Sequence, residues 1–158
     1  MSRLIAALLL VLCPAIAAGA PTAMTSKAEI DPASAKILAE SVRLIEEDRY
    51  CEALPYLEDL AETLPENADV FSMLGYIYRK MDDLELSAEN YDRALRLDPN
   101  HLGALEYQGE LFLRLGQNEQ AAANLSRLTT LCGSCEEKVQ LETAIRDYPS
   151  EGPKTESH

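Results

Sequence analysis

Cys132 and Cys135, separated by Gly133 and Ser134, are the residues of this chain best placed to do chemistry. A CxxC pair can close a small disulfide ring, exchange electrons as a dithiol, or lend two soft ligands to a metal. Redox enzymes of the thioredoxin kind set the first cysteine at a helix N-terminus, where the thiolate is stabilised. Here that position falls to Cys135, while Cys132 ends the preceding helical stretch, and no βαβ pattern surrounds them. A closed zinc site needs about four ligands, and copper is helped by nearby His or Met. His101 stands at a segment boundary and His158 in the tail, both expected to be exposed non-ligands, and Met73 and Met81 read as packing residues. A structural disulfide between Cys132 and Cys135 is therefore expected, with no metal and no cofactor. Thiol redox or metal handling by the same two residues is the alternative. Cys51 reads as a small buried hydrophobe.

No catalytic set emerges elsewhere. Ser41, Ser72, Ser87, Ser126 and Ser134 lack the context of a nucleophile elbow, and Gly75 and Gly109 are isolated rather than part of a phosphate loop. The chain is expected not to be an enzyme.

The N-terminus combines Arg3, an apolar run from Leu4 to Leu12 and small residues through Ala20. That order describes a secretory signal peptide over residues 1–20, which implies export to the periplasm and no stable membrane insertion after cleavage. Export in turn permits disulfides. The whole chain carries 27 Asp and Glu against 14 Lys and Arg, a formal net charge of -13. Such a surface repels nucleic acid and anionic lipid and favours a basic protein or peptide partner.

The elements that must position these residues show a 34-residue repeat. Laying copies from Ser34, Ala68 and Leu102 aligns Gly75 with Gly109, and Leu44 with Tyr78 and Phe112. Small residues coincide at Ala53, Ser87 and Ala121, and bulky ones at Leu57, Tyr91 and Leu125. Pro65 and Pro99 close the first two copies, and each copy has the apolar spacing of two amphipathic helices. Gly75 and Gly109 are expected to let the helices of a pair approach closely, faced by Ser87 and Ala121. Ser134 and Glu137 form a capping-box signature that predicts a further helix from Cys135, with Val139, Leu141, Ala144 and Ile145 covering the open end of the third pair. Pro55 falls within the second helix of the first copy, where it can kink or shorten that helix.

Over residues 34 to 131 this pattern resembles the tetratricopeptide repeat family, and the export signal makes a small bacterial member the expectation. The resemblance implies an all-α, right-handed α-solenoid of three helix-turn-helix repeats plus a C-terminal capping helix. The expected organisation is a signal peptide (1–20), a flexible leader (21–33), repeats 34–67, 68–101 and 102–134, a cap (135–148) and a disordered tail (149–158). It also implies a concave groove lined by the first helix of each repeat. Mapped onto this sequence, the groove comprises Leu38 and Val42 from the first repeat, Asp69, Ser72, Tyr76 and Arg79 from the second, and Glu106, Glu110 and Leu113 from the third. Tyr76 and Arg79 are its expected anchors. Some family members hold a partner's C-terminal carboxylate with lysines and asparagines on these faces, but Leu38, Val42, Ser72 and Tyr76 do not reproduce that clamp. The expected function is that of a non-catalytic adaptor of the periplasm or cell envelope, a monomer or weak homo-oligomer, binding a peptide or helix in the groove.

Overall fold

A computed structural model describes residues 30–148 of the chain. The expected signal peptide (1–20), residues 21–29 of the expected leader and the expected tail (149–158) lie outside the described residues. Among the described residues seven helices follow in order: α1 Pro32–Glu46, α2 Tyr50–Thr63, α3 Ala68–Lys80, α4 Leu84–Leu97, α5 Leu102–Arg114, α6 Asn118–Cys132 and α7 Glu136–Asp147. Consecutive pairs stack as helix-turn-helix units, α7 closes the end, and the whole is an α-solenoid. Among the described residues no helix is long and apolar enough to cross a membrane.

Local chemistry sets the boundaries. Asp31 starts α1 by accepting from the Ala33 and Ser34 amides at 3.0 and 3.1 Å, with Pro32 contributing a preset φ at the first position. Each turn inside a pair places one residue in the left-handed region, at Asp48, Asp82 and Gly116 (φ 56°, 69° and 72°). Asp tolerates that region better than most residues and Gly adopts it freely. The following amide then donates back into the helix end: Arg49 to Leu44 O, Asp83 to Tyr78 O and Gln117 to Phe112 O, at 2.8 to 2.9 Å. Pro55 neither kinks α2 to an early stop nor shortens it, since the helix continues to Thr63.

Packing across the boundaries repeats as well. Arg93 donates to Pro65 O at 3.1 Å while its guanidinium lies 4.3 Å over the Phe71 ring, and Arg127 donates to Pro99 O one repeat later. Leu44, Leu57, Leu60, Val70, Leu74 and Ile77 form a core through the first two pairs, and Leu105, Leu128 and Leu141 form a second at the C-terminal end. At Gly75 the space a Cβ would fill is taken by the Tyr91 ring, whose atoms stand 2.6 to 2.9 Å from that point. Ser87 serves beside it by donating its hydroxyl to Gly75 O at 2.8 Å.

Several expectations need correction. At Gly109 the close neighbour is Leu141 of α7, with methyls 2.6 Å from a built Cβ, rather than Ala121 of the paired helix. The cap is thus a plug inserted into the third repeat. Its helix begins at Glu136, not Cys135, and no side chain caps it. The capping box does not form because Gly133 and Ser134 are spent on the turn between Cys132 and Cys135, which are joined in a disulfide. Glu136 and Glu137 instead meet the positive end of the helix dipole. Val139 is half exposed: it lies two residues, some 200° around the helix, from the fully buried Leu141. Ala144 and Ile145, at helical spacing from Leu141, are partly covered. Cys51 is exposed rather than buried. His101 is not a free surface histidine either. Its Nδ1 accepts from the Ala104 amide at 3.0 Å to cap α5, and its Nε2 bonds Asp69 of α3 at 3.0 Å.

Two stability experiments follow from this packing. Gly75→Ala forces a methyl into a buried, rigid ring and is expected to destabilise by about 2 kcal/mol in spite of better helix propensity. Gly109→Ala is expected to cost less, because a leucine terminus can rotate aside, and to speed amide exchange in α7. Equal losses in urea unfolding would contradict the plug. Truncation after Gly133 uncovers Gly109 and Leu105 and should lower the melting temperature more than the Cys132→Ser, Cys135→Ser double variant, since a short ring restricts the unfolded chain little.

Candidate partner-binding groove

The first helices of the three pairs, α1, α3 and α5, carry all nine groove residues expected from sequence, but in unlike states. Val42 is exposed and Leu38 half-buried on α1. Ser72 and Leu113 are buried, and Asp69 holds His101. The structure brings Tyr76, Arg79, Glu106 and Glu110 together at the centre.

Arg79 is the hub of that centre. It is 9% exposed, ion-paired to Glu110 at 2.7 Å, within 3.5 Å of the Tyr91 hydroxyl through Nε, and stacked against Tyr76 and Tyr107 at 5.4 and 5.8 Å from their centroids. From the next turn of α5, Arg114 donates to the Arg79 carbonyl at 2.7 Å and pairs with Asp82. A guanidinium so engaged holds α3 to α5 and has little left for a partner. Tyr76 is more available. Its ring lies between Tyr50, 6.1 Å away, and Tyr107, 5.1 Å away, so three half-buried aromatic rings run in a row from α2 across α3 to α5. Lys80 reaches over Tyr50 and Tyr76 at 5.8 and 5.7 Å.

Tyr50, Tyr107, Lys80 and Tyr91 were not among the groove residues expected from sequence. Tyr91 had a signal: it is a tyrosine where the other copies have Leu57 and Leu125, and a buried hydroxyl calls for a polar partner. Tyr107 falls just outside the positions the repeat pattern assigns to the groove.

Burial governs the electrostatics. Glu106 is 3% exposed, and that burial, reinforced by Glu110 and Glu137, pushes its carboxyl up to about 8. Burial likewise pushes the Tyr107 phenol up to about 12, with Glu106 adding to the effect. A cleft of about 300 Å³ opens between Arg79, Glu110, Arg114 and the end of α7 at Ala144 and Tyr148. A larger hollow of about 460 Å³ lies between α4 and α6, lined by Arg96, Phe112 and Arg127, and contains none of the expected residues. Among the described residues no group of three or more His, Cys, Asp or Glu could hold a metal ion.

Because Glu106 keeps its proton in the folded chain up to about pH 8 but loses it near pH 4.5 when unfolded, the folded state binds more protons between those values. Stability is therefore expected to fall as pH rises through that window. Glu106→Gln should flatten the slope and raise stability at pH 8 by about 2 kcal/mol, read from urea unfolding across pH 5 to 9. An unchanged slope would show that Glu106 does not titrate in this way.

Residues 68–101 match the sequence profile of the tetratricopeptide repeat. No curated protein sequence matches the chain. Among solved structures, MamA (residue 41 to the end) from Desulfovibrio magneticus RS-1 is 25% identical with a TM-score of 0.58, covering 63% of this chain and 56% of its own. This chain thus spans little more than half of that relative. The first repeat domain of Spaghetti (RPAP3), bound to the HSP90 peptide SRMEEVD, is 15% identical, covers 72% and 90% of the two chains and has a TM-score of 0.64. The Arabidopsis OM64 repeat domain is 14% identical, covers 74% and 97%, and has a TM-score of 0.66. The latter two likenesses concern the fold alone. The second pair thus matches the tetratricopeptide repeat in sequence, and the three helix pairs are similar in fold to solved tetratricopeptide repeat domains.

Proposed function

We propose that this chain is a non-catalytic adaptor that holds a peptide or helix of a partner protein against the face formed by α1, α3 and α5. The observation that carries this reading is the row Tyr50, Tyr76, Tyr107: three aromatic rings half-buried side by side, in contact with one another yet open on one edge. Rigid aromatic groups of this kind give a partner contact area at low entropic cost and dominate many interfaces. Leu38 and Val42 extend the face with an apolar stretch on α1. A repeat domain of similar fold, the first of Spaghetti (RPAP3), is bound to an HSP90 peptide, in keeping with a peptide-holding role. The residues at Leu38, Val42, Ser72 and Tyr76 give this chain no clamp of lysines and asparagines, so the partner is held through its body rather than its terminal carboxylate.

The signal-like N-terminus supports action in the periplasm or cell envelope. The expected state is a monomer or weak homo-oligomer, which light scattering across concentration measures.

Affinity capture under oxidising conditions, with Tyr76→Ala and Tyr107→Ala beside the wild type, tests the groove. Each variant is expected to lower retention of the captured partner about tenfold or more. Arg79→Ala is a poor probe, since it strands Glu110 and loosens α3 from α5. Undiminished capture by both tyrosine variants would remove this face as the binding site.

A further inference from the structure

We propose that the groove receives a lysine or arginine side chain of its partner against Glu106, where the first turn of α7 meets α5. This rests on the groove reading above and names the partner as a basic segment.

Glu106 is almost wholly buried, yet its carboxyl makes no hydrogen bond among the described residues. Neither oxygen is sealed in, because no fully buried polar side-chain atom goes unsatisfied among the described residues; the carboxyl therefore keeps an opening. The charged groups facing it are Glu110 from its own helix, Arg79 from α3, and Glu136 and Glu137 from α7. Four carboxyl groups thus share one guanidinium, and that guanidinium is committed to Glu110 at 2.7 Å. A second cation is what the site lacks. A Lys or Arg side chain is long enough to bring one in from the surface, and the Tyr107 ring beside the site favours its passage. An acidic segment would add a like charge to this cluster, and a neutral one would leave the carboxyl unpaired.

The charge state gives the inference a distinct signature. Without a partner Glu106 holds its proton at pH 7. Pairing with a cation favours the carboxylate, so docking releases that proton from the Glu106 carboxyl to the buffer.

Titration calorimetry of the full chain with hexa-arginine amide at pH 7, in phosphate and in Tris, reads this directly. Wild-type enthalpies are expected to differ between the buffers by the ionisation heat of about one proton. Glu106→Gln, which preserves shape, should abolish that difference and weaken binding about tenfold. Glu62→Gln, on the exposed side of α2, should change neither. Wild-type affinity and buffer dependence retained in Glu106→Gln, no binding of the probe to the wild type, or equal binding of hexa-glutamate would each overturn the proposal. The groove reading fails separately. If Tyr76→Ala loses the captured partner while Glu106→Gln retains it, only the basic-segment proposal falls; if neither loses it, both do.

Discussion

The close approach at Gly75 sets much of what lies around it. With no Cβ there, the Tyr91 ring of α4 lies directly on the α3 backbone, and Ser87 ties its hydroxyl to the Gly75 carbonyl. This contact fixes the separation of the central pair and carries the Tyr91 hydroxyl to Arg79. Arg79 is then held between two tyrosine rings and Glu110, so a packing constraint becomes an electrostatic one. α3 and α5 are joined by a partly buried ion pair in place of a wholly apolar seam. Such a pair adds little net stability but strongly penalises arrangements that break it.

The same burial divides the residues mapped to the groove into those that hold the solenoid together and those that stay partly accessible. Arg79, Ser72 and Leu113 belong to the first kind. Tyr76, Val42 and Leu38 belong to the second, joined by Tyr50 and Tyr107. Glu106 stands between them, its carboxyl pushed up by burial, and is the group proposed to receive a partner's cation. In a chain with a large excess of acidic residues, a cation entering there would meet both local and overall attraction.

The two ends of the stack solve the same problem differently. A terminal repeat lacks a neighbour to cover its apolar edge. At the C-terminal end Leu141 enters the notch left by Gly109, and the Cys132–Cys135 bond holds the turn that delivers it. The third pair keeps the glycine of the second while losing its tyrosine, with Leu125 in place of Tyr91, and the vacant space is filled from α7. At the other end of the described residues α1 keeps Val42 exposed.

Residue pattern alone carried the 34-residue period, the helix pairs, the two close-approach glycines and the existence of a capping helix. These are legible because helix periodicity, proline, glycine and capping chemistry act over a few neighbouring residues. Packing between helices set Leu141 rather than Ala121 against Gly109, bridged His101 to Asp69, left Cys51 exposed and Val139 half exposed, and consumed Arg79 internally. It also decided that the Glu106 carboxyl is raised by burial. Each of these depends on side chains from other helices that packing brings within a few ångströms, and residue type alone carries neither the burial nor the neighbours that set exposure and charge.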